Sequence, residues 1–226
     1  AKMNVMAGIV GNTDYSTEIM TKWTTTAPGQ SVNYVESHDN MTLVDKITAS
    51  VKDATPADVA QLSRLASSIP FLSQGMPFMQ AGQEFLRSKG GDPNSYKSSD
   101  AVNSLKWSTQ STHAVTVKYF KGLIALRKAH PAFRMTSTEL VRKNLKFLTS
   151  PEGTIAYSLN GAAVKDSAGT LVVIHNANTT TQTISLPKTG TWSVHVEGDR
   201  AGTSVLRKIS GDSVVVAPRS TLVITQ

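Results

Sequence analysis

In the first part of the chain, apolar residues recur at the three- and four-residue spacing of helices. Two such stripes are formed by Val59, Leu62, Ala66 and Ile69 and by Val115, Tyr119, Leu123 and Leu126. The segment Thr55–Asp58 precedes the first stripe and supplies an N-cap, a first-turn proline and a first-turn acid. The second stripe stops at His130-Pro131. The pattern therefore predicts two amphipathic helices, each with one buried face.

Two short apolar runs beside these helices predict strands. Residues 31–35 are β-prone and lead into Glu36–Asn40, while Met76–Ala81 is a compact run that we expect to be a fully buried strand. Strands that alternate with helices are typical of a parallel sheet. The polar segment then stands at the carboxyl end of a strand, where parallel α/β barrels keep their chemistry. The long polar segment after Glu84 has no periodic core face and predicts a substrate-facing loop.

After Phe133 the pattern changes to short β-rich runs. The runs are Asn144–Leu148, Thr154–Leu159, Leu171–Asn176, Thr181–Leu186, Trp192–Glu197, Val205–Ile209, Val214–Ala217 and Thr221–Thr225. Turn signals such as Asn160-Gly161 and Ser210-Gly211-Asp212 separate them. About eight short strands at near-regular spacing predict an antiparallel β-sandwich. We therefore divide the chain into an α/β domain, residues 1–132, and an all-β domain, residues 133–226.

The segments around the polar strand end are similar to those of a known family. YVESHDNMTLVDKI, residues 34–47, and FLSQGMPFMQAGQEFLRSKGGDPNSYKSSDAVNSLKW, residues 71–107, resemble the α-amylase superfamily of family 13 glycoside hydrolases. Within it they most resemble the type I pullulanases, which the NSYKS loop favours; one departure is Val44, where many pullulanases carry Trp. The resemblance implies the C-terminal βα units of a TIM (β/α)8 barrel followed by a β-sandwich domain C.

The resemblance also assigns roles to four residues. It implies that Asp39 stabilises the transition state and that His38, Asn94 and Tyr96 bind substrate. Oxocarbenium-like transition states gain from hydrogen bonds to sugar hydroxyls, which an Asp accepts and a His donates, and a Tyr ring can stack on a sugar face. The alternatives are a strand-end cap for His38 and Asp39 and a loop anchor for Tyr96. Glu84 is expected to be structural.

The family's nucleophile Asp and general-acid Glu have no matching motif in this sequence. Retaining glycosidases need two carboxyl groups roughly 5–5.5 Å apart. We therefore expect the C-terminal part of a larger α-1,6-debranching hydrolase, inactive by itself. Its partners would be the N-terminal remainder of the enzyme and an α-glucan such as pullulan, branched starch or glycogen. The alternative is a non-catalytic carbohydrate-binding or structural module, although Trp192, in apolar alternation, is expected to be a core residue rather than a binding platform.

Composition limits the cofactors, partners and cellular locations that the chain could have. The absence of cysteine excludes disulfides and thiolate zinc sites. The five histidines show no HExxH pattern, so we predict no metal or cofactor in this chain and leave calcium open for the intact enzyme. The net charge of +7 is dispersed rather than clustered, and no apolar run reaches the roughly 18 residues of a membrane helix, so neither nucleic acid nor membrane is a predicted partner. An extracellular or cell-surface bacterial location is favoured over the cytoplasm.

Overall fold

A computed structural model describes residues 2–19 and 21–226. The helices are α1 (Lys2–Ile9), α2 (Leu43–Ser50), α3 (Pro56–Leu72), α4 (Asp100–Asn103), α5 (Thr109–Thr112), α6 (Ala114–Ala129) and α7 (Thr138–Asn144). The strands are β1 (Val32–Asn33), β2 (Met76–Pro77), β3 (Leu145–Leu148), β4 (Thr154–Asn160), β5 (Thr170–Asn176), β6 (Gln182–Glu197), β7 (Arg200–Ala201), β8 (Arg207–Val216) and β9 (Ser220–Thr225). Helices thus dominate the first part and strands the second, as the sequence predicts.

β1 and β2 pair in parallel, with Val32 opposite Met76. Since α2 and α3 connect them, the unit is a crossover of the kind that parallel strands require. The prediction of a fully buried strand over Met76–Ala81 is wrong. Only its first two residues pair, and Met76 and Phe78 are 50% and 45% exposed. One face of the strand pair is left open because no element among the described residues packs over it.

The two long helices form where the sequence predicts them, but only Val59 of the predicted α3 stripe is buried, and the other three residues of that stripe are half-buried. α3 begins with a capping box in which Thr55 and Asp58 bond each other's backbone amides. It continues through Pro70 and ends at Leu72. In α6 the predicted core residues are buried except Val115, which is 54% exposed. Both helices therefore exist as predicted, although their buried faces are set by the sheet that they contact.

The second part forms one antiparallel sheet in the order β3-β4-β5-β9-β6-β7, with β8 also paired to β6. β6 and β8 are each one long strand where two short strands were predicted, so Ser210-Gly211-Asp212 lies inside β8 rather than in a turn. Gly190 and Gly211 face each other across this pair, next to a register shift. Glycine within a strand permits a sharp bend. The hairpin can therefore bend here, and its pairing resumes at Gly190 after the unpaired residues 186–189.

The sheet has an apolar core on each face. One face packs on helices α1, α3 and α6 and includes Tyr157, Val173 and Val223. The other face is covered by the bent β6–β8 hairpin, which buries Trp192 completely. β6 also contacts β3 and β4, to which it is not hydrogen-bonded. The predicted antiparallel architecture is confirmed, but its two layers are parts of one continuous sheet. The division at residues 132 and 133 stays a prediction.

The C-terminal end of α3 connects the helical part to the sheet. Arg127 of α6 is buried and donates to the carbonyls of Phe71, Ser73 and Gly75 at 2.9, 2.6 and 2.6 Å. The Tyr157 hydroxyl of β4 donates to the Leu72 carbonyl at 2.9 Å. These bonds satisfy carbonyls that lie at or beyond the helix end and lack helical partners. Burial lowers the pKa of Arg127 to about 10, so the side chain stays charged at neutral pH.

We predict that Arg127→Met lowers the free energy of unfolding by about 2–4 kcal/mol, because it leaves buried carbonyls without donors. Urea denaturation followed by circular dichroism measures this change. Lys128→Met is the matched control, since Lys128 lies on the same helix and is exposed; we expect its effect to stay within about 0.5 kcal/mol. Equal stability of the two variants would contradict the role of Arg127.

Candidate functional site

His38 and Asp39 lie on an exposed turn shortly after β1. Their side chains are 86% and 71% exposed, and the His38 Nε2 lies 3.4 Å from the Asp39 Oδ2. Asn40 follows with a φ of 65°, a left-handed conformation that Asn adopts more readily than most residues. The chain turns there and enters α2 after the N-cap Thr42. Both predicted residues are therefore open to solvent and available to a ligand.

The buried side chain of Glu36 connects the start of this turn to its end. It is buried, and its carboxylate accepts a hydrogen bond from the amide of Leu43, the first residue of α2. A carboxylate is favourable at a helix N-terminus. Burial nevertheless raises the pKa of Glu36 to about 7, and the Leu43 bond and the charge of Arg87 oppose that rise only in part. Glu36 thus fixes the two ends of the turn to each other. Burial makes the ionised form of its carboxyl group unfavourable.

Asp45 of α2 anchors the long loop that follows Glu84. Its carboxylate accepts from the Ser88 hydroxyl at 2.5 Å and from the Lys89 amide at 2.8 Å. Burial raises the pKa of Asp45, but these hydrogen bonds outweigh it and leave the pKa below its usual range. The carboxylate is therefore ionised at neutral pH and holds the start of the loop against the helix.

Lys89 connects the two predicted site segments. Its side chain is buried, and its Nζ lies 3.3 Å from the His38 carbonyl and 2.7 Å from the Ser95 hydroxyl. Ser95 stands between Asn94 and Tyr96. The structure therefore brings the His38–Asp39 turn and the Asn94–Tyr96 loop together through one ammonium group.

The Asn94–Tyr96 loop is held by polar bonds rather than by its aromatic ring. Asp92 accepts from the Asn94 amide at 2.8 Å and from the Ser98 hydroxyl at 2.5 Å. Asn103 donates to the Ser95 carbonyl at 2.6 Å. Tyr96 is 73% exposed, with the Lys97 ammonium 5.3 Å from its ring centroid. A loop-anchor role for Tyr96 thus has little support, and substrate binding by Asn94 and Tyr96 stays a prediction.

The structure also bears on Glu84, on metal binding and on membrane spans. The Glu84 carboxylate accepts from the Gly82 amide at 3.0 Å, which fits a structural role in a local turn. Within residues 2–19 and 21–226, no three His, Cys, Asp or Glu side chains are grouped as a metal site would need. No helix in the same ranges has the length and apolar character needed to cross a membrane.

Sequence reasoning did not identify Glu36 and Lys89 as parts of the site. Both are charged residues in strongly polar segments, where exposure is the usual expectation. The available signal was their proximity to predicted site residues, since Glu36 precedes His38 by two positions and Lys89 opens the loop that carries Asn94. Only the folded chain shows that their charged groups are buried beneath that site.

Known proteins resemble the chain over nearly its whole length. The family model "Pullulanase, all-beta domain" matches residues 141–200. The pullulanase of Bacillus subtilis is 42% identical over 151 residues, which cover 67% of this chain and 21% of that protein. The isoamylase of a Flavobacterium species is 27% identical over 208 residues, covering 73% of this chain and 27% of that protein.

Solved structures agree with these matches. The pullulanase of Bacillus acidopullulyticus superposes with a TM-score of 0.90 and 41% identity, over 98% of this chain and 26% of that chain. The pullulanase of Paenibacillus barengoltzii, in complex with maltohexaose and alpha-cyclodextrin, gives a TM-score of 0.88 and 40% identity, over 99% of this chain and 33% of that chain. The chain thus spans between about a fifth and a third of these three pullulanases.

We predict that Glu36→Gln changes how stability depends on pH. The folded chain keeps the Glu36 proton up to a pKa of about 7, whereas a pKa of 4.5 applies to the unfolded chain. The stability that Glu36 contributes is therefore full below pH 4.5 and is lost as the pH rises through 7. A glutamine accepts the same bond from Leu43 without ionising. Between pH 5 and 8, the free energy of unfolding of the wild type should fall by about 2–3 kcal/mol relative to Glu36→Gln.

Chemical denaturation at a series of pH values measures that difference. Glu152→Gln serves as the control, because Glu152 is exposed, and its curve should run parallel to that of the wild type. A parallel curve for Glu36→Gln would show that Glu36 does not keep its proton in the folded chain.

Proposed function

Because the chain is homologous to the C-terminal part of the type I pullulanases, we propose that it forms that part of an α-glucan debranching hydrolase. The proposed reaction is hydrolysis of α-1,6-glucosidic bonds with retention of configuration. The observation that carries the proposal is the exposed His38–Asp39 turn, held at the end of a parallel strand by buried side chains. The complex of a relative with maltohexaose supports an α-glucan as the substrate.

We assign β1 and β2 to the last two strands of a (β/α)8 barrel. Their parallel pairing through a helical crossover supports this assignment. The open face of the pair is apolar and consists of Val32, Tyr34, Met76 and Phe78. Barrel strands fill their interior with such side chains, and an exposed apolar patch marks a surface for further protein. The proposed occupant is the N-terminal remainder of the enzyme, which would carry the nucleophile Asp and the general-acid Glu.

In this arrangement each predicted site residue has a defined task. Asp39 accepts hydrogen bonds from sugar hydroxyls, and these bonds strengthen as the ring distorts towards the oxocarbenium ion. His38 donates to a further hydroxyl of the same sugar. The exposed Tyr96 ring and the Asn94 amide contact more distant glucosyl units. The chain thus supplies binding and transition-state stabilisation, while both covalent steps depend on carboxyl groups outside it.

The second candidate is a carbohydrate-binding or structural module without catalysis. Binding through the sheet would need exposed aromatic rings, yet Trp192 is fully buried between the sheet and the β6–β8 hairpin. The exposed polar groups instead collect at the end of β1, which favours the hydrolase. A pullulanase rather than an isoamylase is favoured by the higher sequence identity. Secretion, or attachment at the cell surface, and calcium in the intact enzyme stay predictions from the resemblance.

We predict that Asp39→Asn in the intact enzyme lowers kcat on pullulan by at least about 100-fold, because the acceptor is used mainly in the transition state. The melting temperature should not change, since the Asp39 side chain is exposed and contacts the neighbouring His38. The assay is the release of reducing ends. Asp100→Asn removes another exposed carboxylate of the same region and should leave turnover unchanged. Near-wild-type turnover in Asp39→Asn would refute the assigned role.

We predict that the purified 226-residue chain releases no reducing ends from pullulan. A displacement with retention needs a nucleophile and an acid on either side of one bond, and the proposal places both in the N-terminal remainder. Adding that remainder should restore turnover. If the isolated chain were active and Glu84→Gln abolished its activity, the catalytic pair would have been assigned wrongly.

A further inference from the structure

Lys89 lies beneath the candidate site and contacts both of its segments. Its ammonium donates to the His38 carbonyl in one segment and to the Ser95 hydroxyl in the other, at 3.3 and 2.7 Å. These acceptors are 51 and 6 residues away along the chain. The bonds therefore fix the distance between two segments that local sequence does not hold together.

The backbone of Lys89 is fixed independently of its side chain. Its amide donates to the Asp45 carboxylate at 2.8 Å, and the preceding Ser88 hydroxyl donates to the same carboxylate. The side chain starts from a rigid point and is buried along its length, so its ammonium has little freedom of position. Burying a charged group is unfavourable unless it is hydrogen-bonded, and the two bonds provide that compensation.

We propose that Lys89 is a positioning residue, which sets the separation between Asp39 and the Asn94–Tyr96 loop so that one glucan chain can contact both. The inference rests on the proposed function and assigns Lys89 a part in it. Glu36 closes the ends of the His38–Asp39 turn, but the carbonyl of His38 itself is held by Lys89. When the parts of a site are already held in place, less of the substrate's binding energy is lost in ordering them.

Because Lys89 bonds to two segments, substitutions at Lys89 and at Ser95 should loosen different parts of the site. Lys89→Met keeps a long stem but removes both bonds, so it should loosen the turn and the loop together. Ser95→Ala removes only the loop's bond and leaves the bond to His38, so it should loosen the loop alone. Lys106→Met is the matched control, because Lys106 is an exposed lysine of the same polar region.

Hydrogen exchange of the 226-residue chain tests the coupling without any substrate. In Lys89→Met, the hydrogen-bonded amides that end the turn and brace the loop, those of Leu43, Asn94 and Ser98, should exchange about tenfold faster than in the wild type, with the rest of the chain unchanged. In Ser95→Ala, only the two loop amides should respond, and Lys106→Met should match the wild type. Unchanged exchange in both segments, or a uniform rise across the chain, would overturn the inference.

Kinetics of the intact enzyme on pullulan then test the positioning role. Lys89→Met should lower kcat and raise KM, because Asp39 and the loop both lose their fixed places. Ser95→Ala should raise KM and leave kcat within about twofold. Faster exchange in both segments with unchanged kinetics in Lys89→Met would overturn the role. Failure of the proposed function is a separate result, since it would show as full activity of Asp39→Asn.

Discussion

The guanidinium of Arg127 stabilises the junction between the helical part and the sheet. By donating to three carbonyls at and beyond the end of α3, it fixes the segment that leads from the helix into β2. Tyr157 reaches the same helix end from the sheet. Because β2 pairs with β1, whose carboxyl end leads to the His38–Asp39 turn, the position of the candidate site depends on these buried bonds.

The site combines exposed residues with buried charged residues beneath them. His38, Asp39 and Tyr96 are open to solvent, whereas Glu36, Asp45 and Lys89 are buried and hold the segments that carry them. Burying these groups opposes folding, as the raised pKa of Glu36 indicates. The cost is offset where each group forms several hydrogen bonds, as Asp45 and Lys89 do. The exposed candidate residues lie on loops, and buried hydrogen bonds hold those loops in place.

The sheet shows how a bend can replace a turn. Gly190 and Gly211 lie opposite each other in the β6–β8 pair, and the two strands pair on both sides of the register shift that precedes Gly190. The fold thereby encloses Trp192 in a second core. In the sequence, Gly211 and its polar neighbours Ser210 and Asp212 have the composition of a turn.

The sequence by itself determined the start of α3, the antiparallel second part and the segment that carries the candidate site. These features depend on local signals: the Thr55–Asp58 capping box, the alternation after Phe133 and the polar residues that follow residues 31–35. Only the tertiary structure decided the exposure of Met76 and Phe78, the continuity of β6 and β8, and the burial of Glu36 and Lys89. Each of these depends on which distant residues pack against a segment, and the composition of a segment does not specify its neighbours in space.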